Sequence, residues 1–289
     1  MKKKDNNNKV CLVLEGGALR GLYTAGVLDV LHENNINVDC IIGVSAGALF
    51  GVNYFSNQSG RVLRYNRKFC NDKRYISIRS LLLTGNLVNK KFAYYKVTKE
   101  LDPFDEEEFE KTNKPFYCVA TNVETGEPEY ILLDKPLEQL EEIRATSAMP
   151  FVSRIIKIGN KKYLDGAIGD SIPIKKAQEL GYSKIVVVLT QPENYTKEEL
   201  DKKTIGKVFK KYKKYPKFVD ATIARPKMYN DTLKYIKKLE DKNEIFVFRP
   251  YKSIDIDPIK KTVEQLDDAY NMGKEEALNK LKDLKKFLK

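Results

Sequence analysis

Residues 39–49 read DCIIGVSAGAL, a short apolar run that leads into a serine held between two glycines. The pattern G-x-S-x-G between a strand and a helix is typical of a nucleophile elbow, in which the serine occupies a strained turn above the sheet edge. We therefore expect a strand at 38–42 and a helix at about 46–55. Gly43 and Gly47 suit such a turn, because its strand and helix backbones pass too closely for a Cβ atom.

The same strand–turn–helix order occurs once before this segment. Residues 9–14 (KVCLVL) form an apolar run, residues 15–21 read EGGALRG, and an amphipathic pattern covers 22–34. Two successive units of this kind predict a parallel sheet with helices packed on its faces. The sequence therefore predicts a three-layer α/β/α fold with a mostly parallel central sheet.

The glycine-rich turn has three interpretations. A dinucleotide-binding fingerprint fits poorly, because its third position is Ala18 and no acidic residue ends the strand at 38–42. A row of backbone N–H donors at a helix N-terminus fits better, since this turn and Ser45 would lie at the same edge of neighbouring parallel strands. The third interpretation is a tight turn without a chemical role.

A nucleophilic serine needs a base, and the chain contains a single histidine, His32. His32 lies eleven residues beyond Gly21 on the predicted first helix, which places it about 16 Å from the start of that helix. That helix runs away from the edge that carries Ser45, so a Ser-His-Asp triad is not expected. A desolvated carboxylate at the same edge could serve instead.

Two aspartates compete for this role. Asp165 follows a predicted strand at 161–164 and begins the sequence Asp-Gly-Ala, in which Gly166 allows the backbone to turn the carboxylate back over the sheet. Asp170 lies five residues later, where it could cap the following helix. We favour Asp165.

The elbow, the glycine-rich loop and the sequence Asp165-Gly166-Ala167 together resemble the patatin-like phospholipases, which are lipid acyl hydrolases with a Ser-Asp dyad. Residues 145–152 (ATSAMPFV) and 121–127 (TNVETGE) are also similar to segments of that family. The resemblance covers roughly residues 9–190.

The resemblance implies a role for each matching residue. Ser45 would be the nucleophile and Asp165 the base that activates it and later activates water. The oxyanion would be held by backbone amides of the loop, with two further residues completing it; this set comprises Gly16, Gly17, Ala18, Arg20 and Gly21. Ala18 departs from the family, which often has another glycine there. A methyl group is tolerated if φ is negative, whereas a positive φ would distort the loop.

Composition narrows the class of protein. The formal net charge is +12, which fits either an anionic partner or a solvated basic surface. None of the four cysteines forms a CxxC pair, so the sequence predicts neither a disulfide framework nor a zinc site, and we expect no metal or cofactor. No run approaches the roughly 18 to 20 apolar residues of a membrane span. We expect a cytoplasmic protein with at most peripheral membrane contact.

We place a domain boundary near residue 192, with a catalytic domain at 9–192 and a basic, mostly helical extension with one strand at 193–289. Residues 202–217 contain eight lysines and no acidic residue, interleaved with aromatic side chains. This tract could seat the protein on anionic lipid or form a solvated basic face. It shows no nucleic-acid recognition motif, and we expect no nucleic-acid partner.

The sequence thus predicts a serine acyl hydrolase that acts on lipid esters, of the phospholipase A or lysophospholipase type. One alternative is thioester hydrolysis or acyl transfer on the same dyad. An alternative from another class is a lipid-binding module that retains the fold without catalysis.

Overall fold

The computed structural model describes residues 6–289. The strands are β1 (Asn6–Leu14), β2 (Cys40–Val44), β3 (Phe116–Asn122), β4 (Pro128–Leu133), β5 (Ile156–Ile158), β6 (Lys161–Asp165), β7 (Tyr182–Val188) and β8 (Ile245–Phe248). The helices are α1 (Gly21–Glu33), α2 (Ala46–Phe55), α3 (Arg61–Lys68), α4 (Ile78–Thr84), α5 (Glu106–Lys111), α6 (Leu140–Thr146), α7 (Ile174–Glu179), α8 (Lys202–Tyr212), α9 (Pro216–Asp241) and α10 (Val263–Leu288). A π-helical segment covers Lys90–Leu101.

All eight strands of the described chain belong to one sheet in the order β5-β6-β3-β2-β1-β7-β8, with β4 paired to β3 outside this path. The five strands from β3 to β8 in this order run parallel. β4, β5 and β6 pair antiparallel at one end. The sheet is therefore mixed, with its parallel part in the centre.

Helices cover both faces of the sheet, because successive side chains of a strand point to opposite faces. In β1, Leu12 and Leu14 enter the core cluster that contains residues of α1, α2 and α10. Cys11 and Val13 enter the opposite cluster, which contains residues of α7 and α9. The predicted three-layer α/β/α fold is confirmed.

The C-terminal segments pack on the same core as the N-terminal ones. β8 extends the parallel sheet by pairing with β7. α10 begins with a capping box at Thr262 and Gln265 and lies closely against α1, where a Cβ atom on Gly26 would lie 2.1 Å from the Tyr270 carbonyl oxygen. The boundary near residue 192 remains a prediction, since β8 and α10 share a core with the strands that precede it.

Three helices differ from those that the sequence pattern predicts, which are a helix at 136–147, a helix at about 227–239, and one helix or a helix pair over about 257–288. α6 is shorter than the predicted 136–147, because the Gln139 side chain accepts the amides of Asp134 and Lys135 and holds a turn there. α9 is longer than the predicted 227–239, because Pro226 lies inside the helix instead of before it. The tail, predicted as one helix or two, is the single helix α10.

Candidate active site

The register of β3 brings Ser45 and Asp165 together. Val44, the last residue of β2, pairs with Val119, and Asp165, the last residue of β6, pairs with Ala120. β4 occupies the other edge of β3 up to Thr121, so β6 continues along the edge at which β2 ends. Two residues 120 positions apart in the chain thereby meet at one point of the sheet.

Ser45 and Asp165 are joined directly. The Ser45 hydroxyl donates a hydrogen bond of 2.8 Å to Asp165 Oδ2, and both residues are buried. Ser45 has φ 52° and ψ −122° at the N-terminus of α2, the strained backbone that a nucleophile elbow requires. Its N–H donates to Thr146 Oγ1 at 2.8 Å, which holds the turn in place.

The carboxylate of Asp165 is held in a fixed orientation. Its Oδ1 accepts the N–H of Ala167 at 2.9 Å, while Oδ2 faces Ser45. Burial raises the pKa of Asp165 above its ordinary value, and the Ala167 amide, the Ser45 hydroxyl and the positive charge of Arg225 oppose that rise. A carboxylate with a raised pKa is a stronger base than an ordinary one, which suits it to accept the proton of a serine.

The glycine-rich loop lies beside Ser45. A Cβ atom on Gly16 would lie 3.0 Å from the Ser45 Cβ atom, and one on Gly17 would lie 2.6 Å from Thr190 Oγ1. Within residues 6–289, neither the Gly16 nor the Gly17 N–H has a hydrogen-bond acceptor. Two free amides next to a buried hydroxyl are the arrangement that can receive an oxyanion.

Ala18 has φ 48°. This is the left-handed region, in which an alanine costs about 1 kcal/mol relative to the right-handed one. Ala18 therefore has the positive φ for which the sequence predicted a distorted glycine-rich loop.

The elbow glycines meet the predicted backbone contacts. A Cβ atom on Gly43 would lie 2.6 Å from Ala48 Cα, and one on Gly47 would lie 2.5 Å from the Leu14 carbonyl oxygen. In the Asp-Gly-Ala turn, a Cβ atom on Gly166 would lie 2.0 Å from the Val119 carbonyl oxygen. At each position the close approach of another backbone excludes a side chain.

The remaining loop residues lie around the same edge. Gly21 begins α1 and packs against Phe50 and Ala46, where a Cβ atom would lie 2.9 Å from each of those side chains. Arg20 ends the loop, and its buried Nε has no hydrogen-bond partner in the described chain. The positive charge of Arg20 lowers the pKa of the buried carboxylate of Glu15.

Neither competing residue contacts Ser45. His32 lies near the end of α1, where its Nδ1 is 3.1 Å from Ser59 Oγ and its ring contacts Tyr54. Asp170 accepts hydrogen bonds from the Tyr130 hydroxyl and the Ile172 amide. The N-cap position of α7 is occupied by Pro173, so Asp170 holds a turn and does not cap that helix.

Sequence reasoning missed the part that α9 plays at this edge. The Arg225 Nε donates to the Ala167 carbonyl oxygen at 2.7 Å. One turn later, the Tyr229 hydroxyl donates to Glu15 Oε1 at 2.6 Å, next to the glycine-rich loop. Residues 193–289 carry no motif, so no sequence signal pointed to these contacts.

Glu15, the residue before the two loop glycines, is a buried carboxylate whose oxygens both accept hydrogen bonds. Its second oxygen accepts the Thr190 amide at 2.6 Å. Burial raises the pKa of Glu15, and the hydrogen bond from Tyr229 is the largest influence that lowers it. Burial also lowers the pKa of the neighbouring Lys197 to about 8, with repulsion from Arg225 adding to the effect.

An apolar cavity of about 80 Å³ begins beside α2. Leu49, one turn beyond Ser45, lies in its wall together with Tyr94, whose hydroxyl is 2.9 Å from Ser147 Oγ. The other walls come from α3, the π-helical segment and α6. The region 60–112, in which Arg, Tyr and Leu alternate without a clean period, thus helps to enclose a hydrophobic space whose wall reaches α2 one turn beyond Ser45.

The described residues contain no group of three or more His, Cys, Asp or Glu side chains that could hold a metal ion. Across the same part of the chain, no helix combines the length and the apolar character that a membrane span needs.

Comparison with protein families gives two matches. The model described as patatin-like phospholipase matches residues 12–177. A model described as a domain of unknown function, DUF6363, matches residues 215–289, which include all of α9 and α10.

Individual relatives agree with the first match. The chain is 27% identical over 279 residues to the uncharacterized protein YjjU of Escherichia coli, covering 92% of this chain and 75% of that protein. It is 24% identical to the lysophospholipase NTE1 of Debaryomyces hansenii and to the probable lipid hydrolase 463L of Invertebrate iridescent virus 6. The matches span 12% and 61% of those two proteins.

Among solved structures, VipD of Legionella pneumophila aligns with 95% of this chain and 67% of its own, with a TM-score of 0.46 and 14% identity.

Proposed function

Because this chain belongs to the patatin-like phospholipase family, a family of lipid acyl hydrolases, we propose that it hydrolyses lipid esters with Ser45 as nucleophile and Asp165 as base. The family resemblance predicted from the sequence is confirmed. The observation that carries the assignment of residues is the 2.8 Å hydrogen bond between the Ser45 hydroxyl and Asp165.

In the first half of the reaction, Ser45 Oγ attacks the ester carbonyl carbon while its proton passes to Asp165 Oδ2. Negative charge develops on the former carbonyl oxygen, and the amides of Gly16, Gly17 and Ala18 donate to it. When the tetrahedral intermediate collapses, the bond to the leaving alcohol breaks. The alcohol oxygen takes the proton from Asp165, and an acyl-serine remains.

In the second half, a water molecule attacks the acyl carbonyl carbon and gives a proton to Asp165. The same amides hold the oxyanion, and its collapse breaks the bond to Ser45. Ser45 Oγ recovers the proton, and the free fatty acid leaves. The raised pKa of Asp165 supports this cycle, because the carboxylate must both accept and return a proton.

The cavity beside α2 supports a substrate with an apolar acyl group, since Leu49 in its wall is one turn from the nucleophile. Relatives named lysophospholipase and lipid hydrolase support the same substrate class. We propose a cytoplasmic enzyme that contacts anionic lipid peripherally through its lysine-rich tract. The division into 9–192 and 193–289 is also part of this proposal.

The proposal is tested with a fluorophosphonate probe and a p-nitrophenyl acyl ester. We expect the probe to form a covalent adduct on the peptide that contains Ser45, and the ester to be hydrolysed at a rate that the probe abolishes. Mass spectrometry of the digested protein identifies the labelled serine. An unlabelled, inactive protein would instead support the catalytically silent lipid-binding module.

The contacts of α9 lead to a separate prediction. We propose that Tyr229 is a positioning residue that holds Glu15, and through it the glycine-rich loop, in register with Ser45. Tyr229→Phe removes the hydroxyl but keeps the ring. We expect kcat to fall by about tenfold with little change in KM, because a displaced loop weakens only the binding of the oxyanion.

A pH profile distinguishes this role from a general loss of stability. The variant raises the pKa of Glu15 further, so protonation of Glu15 should add to that of Asp165 in lowering kcat and move the acid limb to higher pH. The free energy of unfolding should drop most at pH values above that pKa and recover as Glu15 becomes protonated. Tyr235→Phe is the matched control, because its hydroxyl contacts Gln178, away from the site. Equal effects of both variants would contradict the proposal.

A second reaction on the same dyad would be thioester hydrolysis or acyl transfer. Parallel assays with an acyl thioester and with an added alcohol acceptor, using equal acyl chains, rank these activities against ester hydrolysis.

A further inference from the structure

Helix α4 carries large aliphatic side chains into solvent. Leu82 and Leu83 are 80% and 72% exposed, and Ile78 is half exposed. The helix itself is well held, since Ser77 caps it by accepting the Ser80 amide and Ser80 Oγ donates to the Asn86 carbonyl oxygen. A short, anchored helix with adjacent exposed leucines is typical of a surface that meets an apolar partner.

The segment that follows this helix is hydrogen-bonded to the loop 151–154. The Leu87 amide donates to the Val152 carbonyl oxygen at 2.8 Å, and the Arg154 amide donates to Asn86 Oδ1 at 3.0 Å. Phe151 is 39% exposed with φ 70°. This loop therefore presents part of an aromatic ring to solvent, on a backbone that the protein holds in an uncommon conformation.

The loop in turn rests on α8. The Tyr212 hydroxyl accepts the Phe151 amide at 2.9 Å, and the two rings lie 5.7 Å apart. Lys211 Nζ donates to the Phe151 carbonyl oxygen at 3.2 Å. One turn before Tyr212, Phe209 is half exposed. The three segments thus form one continuous surface.

The charge beside Phe209 and Tyr212 has one sign. Eight lysines on α8, the turn after it and the start of α9 are all exposed, and no acidic residue interrupts them. No carboxylate in the described part of the chain forms an ion pair with any of them. The eight are Lys202, Lys203, Lys207, Lys210, Lys211, Lys213, Lys214 and Lys217.

We propose that α4, the loop 151–154 and α8 form a docking face that seats on an anionic lipid surface. The leucines and phenylalanines enter the acyl region, and the lysines contact the phosphates. A protein partner fits less well, because lysine is depleted at protein interfaces. The inference rests on the proposed function and deepens it, because the Ala148 carbonyl oxygen, three residues before Phe151, accepts the Asp165 amide and so connects the docking face to the segment that carries the proposed base.

The test measures co-sedimentation with vesicles of phosphatidylcholine, with and without phosphatidylglycerol. It uses the Ser45→Ala protein, so that no vesicle lipid is hydrolysed. We expect binding only to the anionic vesicles, and weaker binding at high salt. Leu82→Ser with Leu83→Ser should reduce the partition coefficient about tenfold. Charge reversal of Lys210, Lys213 and Lys214 to Glu should reduce it about a hundredfold.

Matched controls lie on α10. Leu278→Ser removes another exposed leucine, and reversal of Lys282, Lys285 and Lys286 to Glu changes the same charge elsewhere on the surface. Both controls should bind vesicles like the parent protein. Melting temperatures verify that every variant is folded.

Three results would overturn the inference. The first is equal binding to neutral and anionic vesicles, and the second is an equal loss in the α10 controls. The third is a change from dimer to monomer in the leucine variant without a change in vesicle binding, which would assign the face to a second copy of the chain. Because no turnover is measured, an inactive wild-type enzyme would refute the proposed function and leave this test intact.

Discussion

Ser45→Ala is expected to lower kcat/KM for an acyl ester by about 10⁴-fold or more, because it removes the oxygen atom that we propose forms the acyl intermediate. The free energy of unfolding should change by less than about 2 kcal/mol, since the variant loses one hydroxyl and the hydrogen bond that it donates to Asp165. Single-point rates with a p-nitrophenyl ester and a thermal melt measure both quantities.

Ser56→Ala is the matched control for this variant. Ser56 is a buried serine at the other end of α2, and its hydroxyl contacts the Asn53 carbonyl oxygen and Gln58. It should retain the activity of the wild type. Turnover by Ser45→Ala comparable to that of Ser56→Ala would disprove the assignment of the nucleophile.

Asp165→Asn should lower kcat/KM by about 10³-fold or more. The amide has the shape of the carboxylate, so its oxygen can still accept the Ala167 amide. Its NH₂ group then faces Ser45 and cannot take a proton. The variant therefore tests the base without removing the packing of the side chain, and fluorophosphonate labelling of Ser45 should slow in parallel.

The pH dependence of the wild type has a definite sign. Asp165 must be ionised to act as a base, and burial raises its pKa. The rate should fall as the pH decreases through that raised pKa, at a higher pH than an ordinary aspartate would give. A carboxyl with a raised pKa stabilises the folded state when protonated, so its ionisation costs stability as the pH rises. Asp165→Asn removes that cost. Its free energy of unfolding, compared with that of the wild type, should therefore be more favourable at neutral than at acidic pH.

Asp170→Asn provides the comparison. Asp170 is half-buried, and desolvation raises its pKa too, but its partners are Tyr130 and Ile172. Its replacement should affect stability and leave the ester rate near that of the wild type. The reverse result, with Asp170→Asn inactive and Asp165→Asn active, would exchange the two roles.

Local patterns explain why the elbow could be predicted. The strand before Ser45 and the helix after it are short-range features, and Gly43 and Gly47 are required by contacts that such a turn always makes. The same holds for the glycine-rich turn that follows β1. Each of these features depends on residues within about one strand or one helix of each other.

The ends of the longer helices were harder to predict from the sequence. A proline usually ends a helix, yet α9 continues through Pro226 because the buried face of this helix packs on the sheet. The apolar residues of 60–112 belong to several short helices, and some of them line a cavity. No single period describes such a region.

The sequence by itself determined the layered α/β architecture, the strained serine and the pair of aspartates from which a base could come. The sequence favoured Asp165 over Asp170, but only the tertiary structure shows which of the two contacts Ser45, because that contact depends on where β6 meets β3. It alone placed Arg225 and Tyr229 beneath the site. These contacts join residues far apart in the chain, and hydrogen bonding between distant segments leaves no periodic trace in the sequence.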